Sequence, residues 1–93
     1  MPKTLEEAAI RDSLGRLEGW SLQAGKLHRE YSFRDFSEAF GFLSRVALLA
    51  EKHNHHPEIQ NSYSTVVLSL VSHDAGGVTD ADIAMAEAIQ ALG

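Results

Sequence analysis

Histidine is the residue in this chain whose placement most suggests chemistry. His53, His55 and His56 crowd into Glu51-Lys52-His53-Asn54-His55-His56-Pro57-Glu58, and His73 ends a strongly apolar run. An imidazole takes up or releases a proton close to neutral pH. Two or three of them around one pocket suit a reaction that removes a proton at one atom and protonates a leaving hydroxyl at the next. Glu51 is placed to orient or tune a neighbouring ring, and a helix C-terminus favours a protonated imidazole nearby. The structural alternative is a set of solvated polar residues where a helix frays, with His73 closing a strand. Three imidazoles are also a common complement for catalytic zinc. The spacing here matches none of the strong helical or finger patterns, however, and adjacent residues such as His55 and His56 point in different directions, so a metal site is not expected. His28 lies in a strand alternation with no partner in sequence and His53 has no distinguishing context, so both are assigned to structure. Trp20 at a strand start is read as core that can also wall a flat heterocycle, and Asp80-Ala81-Asp82 as first-turn helix charge.

These residues need elements to hold them. Thr4 with Glu7 has the spacing of a capping box, and Leu5, Ala8, Ala9, Ile10, Leu14 and Leu17 form a loose apolar stripe. The expectation is a helix from Leu5 to Ser13 or Leu14, stopped by Gly15. Trp20–Gln23 and Leu27–Phe33 alternate around the turn Ala24-Gly25-Lys26, a hairpin with Trp20, Leu22, Leu27, Tyr31 and Phe33 available to one face. Asp35 and Glu38 repeat the capping spacing before a helix expected over Phe36–Lys52. Its core stripe is read as Phe36, Ala39, Phe40, Leu43, Val46, Ala47 and Ala50. Phe42, Leu48 and Leu49 lie partly off that stripe, so the helix has surplus apolar surface for a loop or a second subunit. Pro57 ends it beforehand. Glu58–Tyr63 and Ser64–Ser72 read as strands, the second with Val66, Leu68 and Leu70 on one face and Val67, Val71 and His73 on the other. Asp74–Gly77 reads as a loop, and Thr79 caps a last helix from Asp80 to about Leu92, with Ile83, Ala86, Ile89 and Gln90 or Leu92 inward. The fold class is α+β: a two-layer sandwich of a four-stranded antiparallel sheet and three helices (α-β-β-α-β-β-α) in a single domain over residues 1–93. In such a sheet the end of the last strand can lie near the start of the third, which would bring His73 toward His55 and His56.

Bulk properties narrow the function classes. A formal charge of -5 argues against a phosphate-binding surface, so no nucleic acid partner is expected. No apolar run has the length of about 20 residues that spans a bilayer, and the first residues hold no apolar signal region. Without cysteine there is no disulfide framework or thiolate chemistry. A cytoplasmic protein that does not engage a membrane is expected.

A longer pattern runs through these elements. Phe33-x-Asp35-Phe36-x-x-Ala39-Phe40-x-Phe42, Val46-Ala47, Glu51-Lys52-x-x-His55-His56-Pro57-Glu58, Asn61-x-Tyr63-x-x-Val66, Leu70-x-Ser72-His73 and Gly77-Val78-Thr79-x-x-Asp82 together resemble the pterin-4a-carbinolamine dehydratases. The likeness runs from Trp20 to Ile89, and the N-terminal helix carries little of it. The resemblance implies a hydro-lyase that converts 4a-hydroxytetrahydropterin to quinonoid dihydropterin, in the recycling of tetrahydrobiopterin. It implies no metal and no bound cofactor, the pterin being the substrate, and a homodimer or homotetramer. Carried over by position, His55, His56 and His73 are the catalytic histidines, the first and last given the acid–base roles and the middle one more of the binding. Pro57, Ser72, Asp74 and Ala75 fall where the family lines the pterin, and Glu51 and Trp20 match residues beside that pocket. Asn54 stands where some members carry Asp, and Ile59 where animal relatives carry an aromatic. The other reading on the same fold is a non-catalytic binding, assembly or coactivator-like module that uses the surplus apolar side of the long helix.

Overall fold

The two alternating segments become hairpins of one sheet in the computed structural model, which describes residues 3–92. In chain order the elements are α1 (Glu7–Leu14), β1 (Ser21–Gln23), β2 (Lys26–Ser32), α2 (Phe36–His53), β3 (Glu58–Ser62), β4 (Thr65–Leu70) and α3 (Asp80–Gln90). The strands order as β1-β2-β4-β3, every neighbour antiparallel. Pairing of Leu22 with Leu27, Leu27 with Leu70, and Arg29 with Leu68 puts these residues on one face, since partners across a ladder share a side. That face is the core side, where Leu27, Val66, Leu68 and Leu70 are fully buried. The other face carries Lys26, His28, Glu30, Glu58, Gln60 and Ser69, all half-buried or exposed. This is the expected two-layer α+β arrangement, with helices on one face of the sheet.

The long helix is set by its ends. Asp35 is extended, and its side chain accepts the Glu38 N–H at 2.8 Å. That bond is the main reason its carboxyl is held below the ordinary carboxylate range. Glu38 reaches back one residue further than a capping box requires, accepting the Arg34 N–H at 2.9 Å. At the other end Asn54 adopts the left-handed conformation (φ 50°, ψ 44°), one that Asn tolerates better than most residues. The Asn54 N–H donates to the Glu51 carbonyl at 3.3 Å and the His55 N–H to the Ala50 carbonyl at 3.0 Å, a Schellman closure.

Packing corrects the expected core stripe. The buried residues of α2 are Ala39, Phe42, Leu43, Val46 and Ala50, whereas Phe36 and Phe40 are 47% and 54% exposed and Ala47 is exposed. Phe42 turns inward because two aromatics on the core side meet it, with ring centroids 4.6 Å from Tyr31 and 5.1 Å from Phe33. A buried Phe gains roughly 1.5–3 kcal/mol over an exposed one, so this contact sets the helix rotation. Phe36 and Phe40 are left against each other outside, their tilted rings 5.6 Å apart.

The ends of other elements also move. No side chain caps α1, which begins at Glu7 behind an extended Glu6, so the Thr4–Glu7 box does not form. The Leu5 N–H donates instead to the Val78 carbonyl at 2.8 Å, a tertiary bond that keeps the chain extended there. Of the apolar stripe around α1, Ile10 and Leu17 are buried while Ala8 and Ala9 stay exposed. Tyr63 belongs to the β3–β4 turn at φ 54°, where the Asn61 side chain donates to its carbonyl at 3.2 Å. β4 stops at Leu70, and beyond it Ser72 forms only an isolated bridge to Gly77. The inward face of α3 is Asp82, Ile83, Met85, Ala86 and Ile89. Among the described residues no helix is long and apolar enough to cross a membrane.

Candidate active site

The Schellman closure delivers His55 directly from the end of α2 into the core side, where its ring meets Asp82. The His55 Nε2 lies 2.5 Å from Asp82 Oδ1, with the imidazole side chain 18% exposed and the carboxylate fully buried. The other oxygen, Oδ2, accepts the Thr79 N–H at 2.8 Å and the Ser72 hydroxyl at 2.9 Å. Ser72 has one hydroxyl proton and gives it to the carboxylate, which can only accept, so Thr79 Oγ1 donates to Ser72 Oγ at 2.8 Å. The Ala81 N–H then closes on Thr79 Oγ1 at 3.2 Å. Asp82 thus takes three donors, one each from the α2 end, the segment after β4 and the first turn of α3. A buried carboxylate is tolerable only with such a full set of partners.

Asp82 is the partner of His55 that the sequence reading set aside as helix charge. Its signal was present: Thr79-x-x-Asp82 is itself a capping-box spacing, and both halves of the box form. Only the tertiary fold supplies the other two partners, Ser72 and His55.

The other two histidines are shallower. His56 Nε2 contacts Glu51 Oε2, both side chains being well exposed. His73 Nε2 lies 3.4 Å from Glu58 Oε2, with its ring 77% exposed. Glu58 is in turn gripped by Lys26, whose Nζ donates to both carboxylate oxygens at 2.9 and 3.0 Å. The Lys26 bond is the largest cause, with His73 a smaller one, of a Glu58 carboxyl held below its ordinary range against a partial opposition from burial. A common pattern joins all three rings. Each rests its Nε2 against a carboxylate, from Asp82, Glu51 or Glu58, and among the described residues none bonds a protein group through Nδ1.

The remaining candidates distribute unevenly. Pro57 is half-buried between His56 and Glu58; Asp74 is exposed and Ala75 half-buried in the turn after Ser72. The Ala75 and Gly76 amides both donate to the Ser72 carbonyl, at 3.1 and 2.9 Å. Ser72 is 4% exposed with its hydroxyl committed to Asp82. Trp20 is 6% exposed and belongs to the hydrophobic core, its ring Nε1 buried without a partner. His28 and His53 join no network of the site. None of the clefts of about 580, 220 and 360 Å³ on the surface is lined by a histidine. The candidate site therefore centres where the α2–β3 and β4–α3 connections are drawn together by Asp82. Among the described residues no three His, Cys, Asp or Glu side chains converge as a metal-binding set. His55, His56 and His73 each have a carboxylate near Nε2, at increasing side-chain exposure.

The profile of the family described as pterin 4 alpha carbinolamine dehydratase matches residues 3–92. A protein of Nitrobacter hamburgensis, provisionally named a pterin-4-alpha-carbinolamine dehydratase, is 52% identical over 99% of this chain and 93% of its own length. The crystal structure of a transcriptional coactivator/pterin dehydratase from Brucella melitensis superposes with a TM-score of 0.91 at 41% identity, covering 97% of this chain and 98% of that one. A pterin dehydratase-like protein identified as a RuBisCO assembly factor in the alpha-carboxysome aligns with a TM-score of 0.68 at 26% identity, over 81% of this chain and 89% of that one.

Proposed function

The chain belongs to the pterin 4 alpha carbinolamine dehydratase family, and from that membership we propose that it dehydrates 4a-hydroxytetrahydropterin to quinonoid dihydropterin by histidine acid–base catalysis. The step balances simply. The C4a–O bond breaks, N5 gives up its proton, the N5–C4a double bond forms, and the hydroxyl leaves as water after taking a proton. His55 and His73 share the two proton transfers, and His56 contributes mainly to binding. Because the pterin supplies the electron pair that expels the hydroxyl, the protein needs only to position the substrate and move protons. The reading asks for no nucleophile, metal or bound cofactor. Acid–base catalysis of this kind contributes roughly 10²–10⁴-fold, a modest demand.

The observation that carries this reading is the carboxylate hydrogen-bonded to Nε2 of His55 and of His56, with Glu58 standing a longer 3.4 Å from Nε2 of His73. An acceptor there holds the proton on Nε2 in the neutral ring, leaving the Nδ1 lone pair toward solvent as a base; once protonated, the same Nδ1–H is the acid. Ser72 and Thr79 serve by fixing Asp82, while Pro57, Asp74 and Ala75 line the bound pterin and Glu51 supports His56. Trp20 backs the site from the core. The setting is a cytoplasmic homodimer or homotetramer acting in tetrahydrobiopterin recycling, with no nucleic acid or membrane partner. The test is turnover: purified protein accelerates carbinolamine breakdown, and His73→Ala removes most of that acceleration with an unchanged melting temperature. Wild-type protein no faster than buffer would end the proposal.

A second reading has its own observation. Phe36, Phe40 and Ile59 are 47%, 54% and 45% exposed, and Phe40, Leu43, Ala47 and Ile59 line an open apolar cleft. Such a face suits an assembly or coactivator-like module, and one relative at 26% identity is named an assembly factor. A partner captured equally by wild type and by a variant lacking His55, His56 and His73 would favour the module.

A further inference from the structure

Glu58 and Lys26 lie outside the set of residues that the family resemblance assigns to the site, yet their geometry ties them to one of its rings. The sheet register explains how. Glu58 pairs with Ser69 of β4, and Ser69 pairs with His28 of β2, so these three form one row on the open face. Lys26 is two residues before His28 and therefore shares that face. Its ammonium reaches across β4 to grip both oxygens of Glu58 at 2.9 and 3.0 Å. The bridge spans the sheet at the end from which the chain leaves β4 toward His73, and Glu58 Oε2 lies 3.4 Å from the His73 Nε2.

Stability does not account for this arrangement, since ion pairs as exposed as this one contribute little. Orientation does. A ring that is 77% exposed samples several rotamers unless something holds it. Glu58 supplies the hold, and two-pronged donation from Lys26 fixes which way the carboxylate faces. The rest of the His73 side chain has no such anchor, in contrast to His55, whose ring is fixed by a buried carboxylate. We propose that Lys26 and Glu58 are positioning residues for His73: a strand-crossing ion pair that holds the most exposed histidine of the site in one orientation. This rests on the dehydratase reading for its catalytic consequence, but not for its structural one.

The experiment separates the two. Three-bond couplings across the His73 χ1 angle, measured by NMR on the whole protein, need no activity. The expected result is a single rotamer in wild type and averaged couplings in Glu58→Ala and in Lys26→Met, with Lys26→Arg restoring the wild-type values. In turnover, Glu58→Ala lowers kcat by about tenfold with little change in KM, and adds nothing in a His73→Ala background, as coupled residues do. Unchanged couplings in both Glu58→Ala and Lys26→Met would overturn the proposal. So would an equal loss of kcat from Glu58→Ala with and without His73. If wild type proves inactive while the couplings respond as expected, the dehydratase reading fails and the positioning role stands.

Discussion

Replacing Asp82 by Asn changes one atom at the centre of the site. The Oδ2 position accepts the Thr79 N–H at 2.8 Å and the Ser72 hydroxyl at 2.9 Å, so it must remain an oxygen. The amide nitrogen is then forced to the Oδ1 position, where it presents N–H to the His55 Nε2. Two donors cannot face each other, so the imidazole has to accept at Nε2 and carry its proton on Nδ1. The lone pair that the mechanism needs is lost at one of two proton-transfer centres. With acid–base catalysis contributing roughly 10²–10⁴-fold, kcat is expected to fall by about 10²-fold or more, roughly 3 kcal/mol of barrier. The stability cost is smaller. All three bonds to the carboxylate become neutral, a loss offset by no longer burying a charge and so about 1–2 kcal/mol net, against a total of roughly 5–14 kcal/mol for a chain of 93 residues. The melting temperature should drop by about 4–16 °C, leaving the variant folded for assay at 25 °C. Two measurements decide: stopped-flow dehydration of freshly generated carbinolamine, and the ring ¹⁵N shifts of His55, which should change from the Nε2–H to the Nδ1–H form. A variant with the wild-type tautomer and kcat within twofold of wild type would refute this account. Asp82→Ala is the harsher control, since it strands three donors at about 3–5 kcal/mol.

Two further outcomes follow from the backbone and the core. Asn54→Gly should preserve stability and activity, because Gly accepts the left-handed conformation (φ 50°) that delivers His55; Asn54→Val should cost about 1–2 kcal/mol in chemical denaturation and lower kcat with it. Burial raises the Tyr31 hydroxyl above its ordinary value of 10.0, with Arg29 opposing, so the folded protein holds this proton more tightly than the unfolded chain. Its contribution is complete below that value and declines as pH rises through the folded-state pKa. Tyr31→Phe should flatten the alkaline loss of stability and remove the latest phase of the ultraviolet phenolate titration. It should cost little at neutral pH, because the hydroxyl is buried without a partner.

The sequence carried the element order and most boundaries, because two-residue alternation and the Asp35 and Thr79 caps are local signals. It misjudged the rotation of α2. Phe36 and Phe40 fit a helical stripe as well as Phe42 does, and only contact with Tyr31 and Phe33 decides which ring goes inside. The Thr4–Glu7 box failed for a similar reason: a tertiary bond from the Leu5 amide to Val78 outcompetes a local cap. At the candidate site, the histidine cluster stands out by residue type and spacing. The partners of its rings were less legible. Glu51 is near in sequence to its ring, five residues from His56, whereas Glu58 opens a different strand from the one His73 follows, Asp82 is 27 residues from His55 and Lys26 is 32 from Glu58. Asp82 also looked ordinary because its first task, capping α3, fully explains its position in a sequence.

That double duty has a kinetic corollary. The Thr79 amide is bonded to the same carboxylate oxygen that anchors Ser72, behind the ring of His55. For its hydrogen to exchange with deuterated solvent, the Thr79 N–H must leave Asp82, which takes away one of the three donors that fix the carboxylate behind His55. Protection of one backbone amide therefore reports the hold on that carboxylate. Fraying of this helix start loosens the group against which the His55 ring rests.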